Sequence, residues 1–586
     1  MKPHPWTIEH TLLLLIFLLA CGVRLLGLGD QPLSNFEAAW ALQAYDQSLG
    51  REETQQETPG PNPGYWVATS ILFSTIGDNN TLARLWPALA GAVIVFLPWF
   101  FRKRIGAEAA LLMAFGLAID PGLVAISRTA GSAMPAISFG LLALGFMYQR
   151  KPIPAGILAG LAILSGPEVL SGLLGLALTY GAVLLLERFH LLSPLAEQEE
   201  GSEAELAPER PYRLALYFLI GTLLVGGTLF FMRPSGLGAL ATTLPAYLTG
   251  WTNPSGIPAL RLPAALLVYQ PLVVIFGIIS AIRAWVGNHD HPREAQILSL
   301  WAVIALILAK LYPAHQVSDL AWELIPLWAL AAMELVRIFQ ATATPHNRIV
   351  SFGQAAFICV LAVFTWLNIL TLGDLAQTAQ GFREGILVIL GAIALGVLTS
   401  LLVAFGWSRE VARRGLTWGA IVILGVYMLG RLYGATQSHA GGVEELWTRA
   451  PAAGDVGLLQ NTLADISEWD TGIDNALDVV VLADSPALRW LLRNWEQARF
   501  ASELKIEEMP SAIITYQGQE TPSLEAAYRG QDFAWEIFPA WQGILPPNLL
   551  RWLAYHTAPA TRNQVILWAR SDLFPGGTLE SQAITP

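Results

Sequence analysis

Three carboxylates lie in short polar stretches beside long apolar segments, where they could act as catalytic bases: Glu37, Asp78 and Asp120. A carboxylate takes a proton from an attacking nucleophile most readily when burial raises its pKa toward neutrality. Glu37 is best placed, because it follows the first apolar segment of the chain closely. The alternative for Glu37 is structural, since Ser34 precedes it at the Ser-x-x-Glu spacing of a helix capping box.

Asp78 and Asp120 could compensate for Glu37, but both also fit simple turns. Asp-Asn-Asn begins at Asp78 and Asp-Pro-Gly begins at Asp120, and both patterns favour turn formation. A further acid, Glu168, stands in a short break between two apolar segments. For Glu168 we favour the interpretation of a solvated turn residue.

Basic residues near the ends of apolar segments could hold a departing phosphate. Preorganised cations stabilise the negative charge that develops on such a leaving group. Each could instead anchor its segment by reaching the lipid headgroups from an apolar stem. The candidates are Arg84 and Arg128, followed by Lys310 and Arg431.

No cofactor or metal site is predicted. Cys21 and Cys359 both lie in apolar stretches, so they indicate neither a disulfide framework nor a cysteine-based metal site. The cluster His289-Asp290-His291 is flanked by Asn288 and Pro292, which is more typical of a hydrated polar turn than of a metal site.

The elements that must position these residues are transmembrane helices. The chain has 586 residues, of which 54% are hydrophobic and only 13% are charged, whereas soluble domains carry about 25% charged residues. A bilayer explains this depletion, because side chains that face lipid are apolar. The net charge of −11 comes with no basic stripe, so a nucleic-acid partner is not expected.

Thirteen apolar segments between His10 and Tyr433 are predicted to span the membrane. The shorter segment Tyr65–Ile76 is predicted to be interfacial, because a full span there would place Arg102-Lys103-Arg104 outside the cell. The excess of Lys and Arg in alternate loops predicts a multi-pass plasma-membrane protein with a cytoplasmic N-terminus. The loop that carries Glu37 and the C-terminal tail are then extracytoplasmic.

The fold class expected is an all-α polytopic membrane domain of about thirteen helices, residues 1–435, followed by a small extracytoplasmic α/β domain, residues 436–586. Within the first domain, residues 196–210 are acidic and predicted to form a flexible cytoplasmic linker. In the tail, Ala476–Leu482, Ala512–Tyr516 and Val565–Ala569 are predicted strands, and a helix is predicted from Pro486.

Several motifs occur in an order that resembles the GT-C glycosyltransferases, multi-span enzymes that take a sugar from a polyprenyl-phosphate carrier. The opening stretch Arg24–Ala38 (RLLGLGDQPLSNFEA) resembles the family's first outer loop. The other matches are Leu82–Leu89, Ala118–Gly122 with Ser127-Arg128, Tyr312-Pro313 before Asp319–Trp322, and Ser485–Arg493; the last is similar to an element of a branch called flippase-activity-associated.

The sequence departs from the family's pattern at two acids. The aspartate that the family carries just before the glutamate is Phe36 here, and that aspartate is the favoured catalytic acid in the family. An acid expected soon after Ser127-Arg128 is also absent, since residues 129–135 contain none. The protein is therefore either inactive or dependent on Glu37, with Asp120 and Asp78 in reserve.

The resemblance implies a glycosyltransferase that moves a mannose-like hexose from polyprenyl phosphate to an extracytoplasmic protein or glycan acceptor. Glu37 would be the base of an inverting displacement that needs no metal, and Arg84 and Arg128 would hold phosphate. Membrane lipids are the other expected partners. Two alternatives stay open: a non-catalytic scaffold that binds lipid-linked sugar or assists a flippase, and a secondary transporter, which the scarcity of charges within the spans disfavours.

Overall fold

The computed structural model describes residues 7–50, 62–193, 210–228, 231, 235–340, 345–375, 379–436, 445–447, 449, 451–504, 508–519 and 526–575. The predicted linker, residues 196–210, lies outside the described residues except for Arg210.

Helices make up the described chain as far as residue 436. In order they are α1 (Ile8–Leu25), α2 (Asn35–Ser48), α3 (Pro63–Thr75), α4 (Asn80–Val93), α5 (Leu97–Phe100), α6 (Arg102–Ile105), α7 (Ala107–Ile119), α8 (Pro121–Ser127), α9 (Met134–Tyr148), α10 (Pro152–Leu164), α11 (Glu168–Arg188), α12 (Arg210–Gly227), α13 (Ser235–Ala241), α14 (Thr243–Thr249), α15 (Arg261–Tyr269), α16 (Pro271–Val286), α17 (Pro292–Leu311), α18 (Ala321–Gln340), α19 (Pro345–Leu375), α20 (Ala379–Gly406) and α21 (Arg409–Ala435).

Seven helical segments among the described residues are long and apolar enough to cross a bilayer. Two further spans are bent: α7 and α8 meet at 54°, and α15 and α16 meet at 101°. The protein is therefore a multi-pass membrane protein, but the predicted count of thirteen spans is not confirmed. The remaining four predicted spans correspond to α9, α10 and α12, which are short, and to α18, which carries charge.

The charges of α18 lie inside the protein rather than against lipid. Glu334 is buried and accepts hydrogen bonds from Arg283 and Arg337, so its charge is paired. Most of α18 is buried among α7, α16 and α17, and its apolar residues form much of the main core. A helix that is buried on most sides need not be apolar throughout. Hydropathy alone is therefore a poor test of whether α18 lies within the membrane.

The chain after α21 forms a small α/β domain. Its strands are β1 (Ala452–Ala453), β2 (Val479–Val481), β3 (Ala498–Phe500), β4 (Ala512–Tyr516), β5 (Tyr528–Pro539) and β6 (Ala560–Arg570), with helices α22 (Val456–Thr471), α23 (Pro486–Leu491) and α24 (Leu549–Tyr555). The six strands form one sheet in the order β1-β5-β6-β4-β2-β3. β2 pairs in parallel with β3 and β4, and the other pairs are antiparallel.

This domain docks on the loops that flank α2 and α3. Asn35 accepts a hydrogen bond from the Ala487 amide at 2.9 Å, and Asn80 accepts one from the Trp490 indole at 2.8 Å. Apolar side chains of α2, α3 and the C-terminal domain form one core. In this core the ring centroids of Phe73 and Trp490 lie 5.7 Å apart. The first loop and the C-terminal domain therefore lie on the same side of the helix bundle.

Candidate active site

Glu37 is held in a buried ion pair beneath the first loop. Its two carboxylate oxygens accept hydrogen bonds from Arg84 Nε at 2.7 Å and Arg84 Nη2 at 2.8 Å. The amide of Ala130 donates a third, at 3.1 Å, and Ser34 completes a capping box at the start of α2. Glu37 is only 6% exposed. The local sequence thus makes this carboxylate a helix cap, and the packing of α4 against the first loop makes it the partner of Arg84.

The environment of Glu37 favours its ionised form. Burial raises the pKa of Glu37, but the charge of Arg84 and the hydrogen bonds from Arg84, Ala130 and Ser34 outweigh burial, so the pKa lies below its usual value. The expectation of a raised pKa at Glu37 is therefore wrong, because the sequence does not reveal Arg84 as its partner. A carboxylate stabilised in this way is a weak proton acceptor.

The two arginines expected to hold phosphate instead bind backbone carbonyls. Arg84 donates to the carbonyls of Leu28, Gln31 and Pro32 in addition to Glu37. Arg128 donates from Nη1 and Nη2 to carbonyls at the end of α1 and the start of the first loop, those of residues 23, 24, 26 and 27. Both side chains tie the first loop to the bundle.

The other two candidate carboxylates, Asp78 and Asp120, also accept hydrogen bonds within the protein. Asp78 accepts a hydrogen bond from Arg493 at 2.5 Å, which joins the first loop region to the C-terminal domain. Asp120 is fully buried at the break between α7 and α8, where it accepts hydrogen bonds from the Leu123 amide at 2.9 Å and the Trp328 indole at 2.8 Å.

The last two candidate cations, Arg431 and Lys310, have different environments. Arg431 is buried and donates to the His556 ring at 2.7 Å and to the Leu553 carbonyl at 2.6 Å, so it anchors the C-terminal domain. Lys310 is half-buried near the end of α17 and makes no hydrogen bond or ion pair with another described residue.

A cavity of about 500 Å³ lies beside these groups, between the helix bundle and the C-terminal domain. None of the seven candidate site residues lines it. Its walls come from α2, the α8–α9 turn, the start of α11, the α14–α15 region, the segment before α18 and the chain that enters the C-terminal domain. Its charged lining residues are Glu168, Asp319, Glu445, Arg261 and Arg449.

Asp319 is positioned by a 3₁₀ helix, Val317–Leu320, that precedes α18. Its Oδ2 accepts the Gln316 amide at 2.9 Å, as in a capping box, so the side chain has a fixed orientation. Burial raises the pKa of Asp319 to about 6, although the Gln316 hydrogen bond and the nearby His315 and Arg449 act in the opposite direction. This carboxylate holds a proton more readily than an ordinary aspartate and exchanges it in the range of neutral pH.

Glu168 is the first residue of α11, and its carboxylate lines the same cavity. It makes no hydrogen bond or ion pair with another described side chain. It interacts electrostatically with Asp319 and with Arg449. The interpretation of Glu168 as a solvated turn is corrected: the turn after α10 directs it into a cavity that α18 and the C-terminal domain enclose.

Phe36 and Glu37 are neighbours in the sequence but face different places. Successive residues of an α-helix point about 100° apart, so Phe36 lines the cavity while Glu37 is turned toward Arg84. The Arg449 guanidinium lies 4.1 Å from the centre of the Phe36 ring. An acid at position 36 would therefore have stood in this cavity beside a cation.

Four hydrogen-bond donors in the lining residues are buried and have no partner among the described residues: Tyr247 Oη, Arg261 Nε, Trp447 Nε1 and Trp541 Nε1. Buried donors without acceptors are uncommon, because each costs about 1–3 kcal/mol.

Sequence reasoning recognised only part of this cavity. Asp319 lies in a motif match that indicates no chemical role for it, and no sequence pattern marks Arg449 as a site residue. The sequence signal for these two residues is weak, because Asp319 and Arg449 lie in short polar stretches next to apolar segments, as many loop residues do.

Comparisons with known proteins agree with the fold. Residues 58–179 match the family PMT, Dolichyl-phosphate-mannose-protein mannosyltransferase. The structure of ArnT from Cupriavidus metallidurans bound to undecaprenyl phosphate aligns at a TM-score of 0.50 and 14% identity, over 94% of this chain and 97% of that one. Its apo form aligns at 0.49 and 14% identity, over 96% and 98%.

A more distant likeness is to the oligosaccharyltransferase AglB from Archaeoglobus fulgidus in complex with an inhibitory peptide and a dolichol-phosphate. It has a TM-score of 0.35 and 14% identity, over 65% of this chain and 59% of that one. The search of curated proteins gives no match. The resemblance to the GT-C glycosyltransferases is confirmed for the fold, which extends over nearly the whole chain.

Proposed function

We propose that the protein is a glycosyltransferase that moves a sugar from a polyprenyl-phosphate donor to an extracytoplasmic protein or glycan acceptor, and that the reaction takes place in the cavity between the bundle and the C-terminal domain. The observation that carries the proposal is the cavity itself. It combines carboxylates and arginines, which are the groups that acceptor activation and phosphate departure require.

The placement of this cavity suits a lipid-linked donor. It adjoins the first loop and the C-terminal domain, which share one side of the bundle, and the distribution of Lys and Arg supports an extracytoplasmic location for that side. Nucleotide sugars are cytoplasmic, so a lipid carrier is the donor class that reaches this side. We also propose residues 1–435 as the transmembrane domain and 436–586 as the domain that closes the cavity and admits the acceptor.

The mannosyltransferase match over residues 58–179 supports a mannose-like hexose as the sugar. In the transfer, the acceptor oxygen or nitrogen forms a bond to the anomeric carbon as the bond from that carbon to the phosphate oxygen breaks. The acceptor proton passes to a carboxylate, and the electron pair leaves with polyprenyl phosphate. Arg261 and Arg449 are the cavity cations that would bind this phosphate.

A non-catalytic lipid-sugar scaffold is the second candidate. Phe36 replaces the acid of the GT-C pattern, and both oxygens of Glu37 are bound by Arg84, so neither residue of this motif offers a free base. Binding of the donor without turnover would favour this candidate.

The test is to incubate the purified full-length protein with radiolabelled polyprenyl-phosphate mannose, other polyprenyl-phosphate hexoses and an envelope extract that supplies acceptors. We expect label to move from the lipid to the extract with at least one donor. The variant Arg449→Gln, which removes a cavity cation, is expected to reduce transfer. Absence of both transfer and donor binding would contradict the proposal.

A further inference from the structure

The cavity contains three carboxylates, and their contacts separate them. Glu445 accepts a hydrogen bond from the Tyr269 hydroxyl and lies 3.2 Å from the His556 ring, so it is committed to the joint between the bundle and the C-terminal domain. Glu168 and Asp319 have no such partner side chains among the described residues. They are the two acids of the cavity whose oxygens remain available to a ligand.

Asp319 has the geometry of a positioned base. One carboxylate oxygen, Oδ2, is held by the Gln316 amide at 2.9 Å, and the other has no partner within the described chain. The 3₁₀ helix that carries it leads directly into α18, the buried central helix, so its backbone is anchored in the core. A rigidly held carboxylate with one free oxygen can take a proton without reorganising.

Arg449 is a cation that lowers the pKa of Asp319, and Glu168 is a second acid that interacts electrostatically with Asp319. Two carboxylates that share a site do not ionise independently, since the negative charge of one disfavours that of the other. Arg449 interacts electrostatically with both and also stacks on Phe36, which brings a cation to the point where the GT-C pattern would place an acid. The cavity therefore holds an acid pair and a cation although position 36 is apolar.

We infer that Asp319 is the catalytic base of the transfer, so that the role of the missing aspartate at position 36 has moved across the cavity to the 3₁₀ helix before α18. This rests on the proposed function. In the step, the free oxygen of Asp319 takes the acceptor's proton as the acceptor attacks the anomeric carbon, and the polyprenyl phosphate leaves with the bonding electron pair.

The experiment compares the full-length wild type with Asp319→Asn, using radiolabelled polyprenyl-phosphate mannose and an envelope extract. Binding of the donor and transfer of label are measured separately. Asn keeps an oxygen that accepts the Gln316 amide, so the fold should persist, and thermal unfolding in detergent checks this. Asp465→Asn, at an exposed position on α22, is the matched control and should transfer at the wild-type rate.

We expect Asp319→Asn to bind the donor as the wild type does and to lose transfer by about 100-fold or more, the usual range for a missing general base. Transfer at the wild-type rate in this variant would overturn the inference and leave the proposed function standing. A wild type that neither binds nor transfers would overturn the proposed function itself. A wild type that binds without transfer would overturn the inference in favour of the scaffold.

A second variant keeps the inference testable if Asp319→Asn unfolds. In Arg449→Gln a cation that lowers the pKa of Asp319 is lost, so the pKa of the base should rise and the acid side of the kcat/KM profile should move to higher pH. A purely structural role for Arg449 would change the rate without moving the profile. An unmoved profile would therefore contradict the inference.

Discussion

The Glu37–Arg84 pair and the cavity both contain acidic and basic side chains, but they differ in how far the protein itself satisfies them. Both oxygens of Glu37 and most donors of Arg84 are satisfied inside the protein. In the cavity, one oxygen of Asp319 has no partner among the described residues. The sequence therefore shows which regions contain charged residues, whereas the interaction partners of each residue determine whether its role is structural or chemical.

The largest expected effect is on stability, at Glu37. The change Glu37→Gln leaves the buried Arg84 guanidinium without its ion pair, which typically costs about 3–5 kcal/mol. Because the folded pKa of Glu37 is depressed, the ion pair contributes fully above the usual glutamate pKa of 4.5 and its contribution is lost as pH falls through the lowered value.

Thermal unfolding in detergent at several pH values checks this expectation. The gap in melting temperature between wild type and Glu37→Gln should narrow as pH falls below 4.5. An unchanged melting temperature at pH 7 would show that Glu37 is not structural, and it would remove the contrast between the two regions.

The next effect concerns position 36. Phe36→Asp places a carboxylate in the cavity near Arg449. In the Asp319→Asn background, this second change should raise the rate of transfer at least about tenfold above that of Asp319→Asn alone, because a base again faces the cavity. The control is Phe36→Asn in the same background, which adds polarity but no base and should restore nothing. Equal rescue by Asp and Asn would mean that the effect is packing.

A smaller effect is expected from Arg449→Gln on the pH profile. Arg449 lowers the pKa of Asp319, so its loss should raise that pKa above about 6 and move the acid side of the kcat/KM profile to higher pH. Lys at the same position should keep the profile close to that of the wild type. Movement to lower pH in Arg449→Gln would contradict the proposed electrostatic link.

The smallest effect is expected where Asp78 meets Arg493 at the joint of the two domains. This pair is partly exposed, so Asp78→Asn should cost only about 0–1 kcal/mol, and transfer should stay near the wild-type rate. A large loss of transfer, with the protein still folded, would place Asp78 in the chemistry after all.

Sequence reasoning recovers features that depend on local pattern. The apolar segments reveal a membrane protein, and β-branched runs locate strands such as Ala512–Tyr516. The helix start at Pro486 follows from proline's fixed backbone angle. Membrane spans are harder to recognise from composition where a helix is buried within the protein. α18, for example, carries Glu334 inside the bundle, where Arg283 and Arg337 pair with it.

The candidate site is harder to predict because it depends on partners that are distant in the chain. Arg84 lies 47 residues from Glu37, and no local spacing connects them. The cavity gathers Phe36, Glu168, Asp319 and Arg449 from four separate regions. The first loop, which the sequence indicates as a site, lies on the same side of the bundle as the cavity, but only packing distinguishes an acid that caps a helix from one that faces a cavity.

The most direct measurement is the pH dependence of sugar transfer from polyprenyl-phosphate mannose for wild type, Glu37→Gln and Asp319→Asn, each normalised to folded protein. If the reacting carboxylate lies in the cavity, Glu37→Gln keeps the fall in rate below about pH 6, and Asp319→Asn loses both that fall and most of the rate. The opposite pattern, with the rate and its pH dependence lost in Glu37→Gln and kept in Asp319→Asn, would return the chemistry to the first loop.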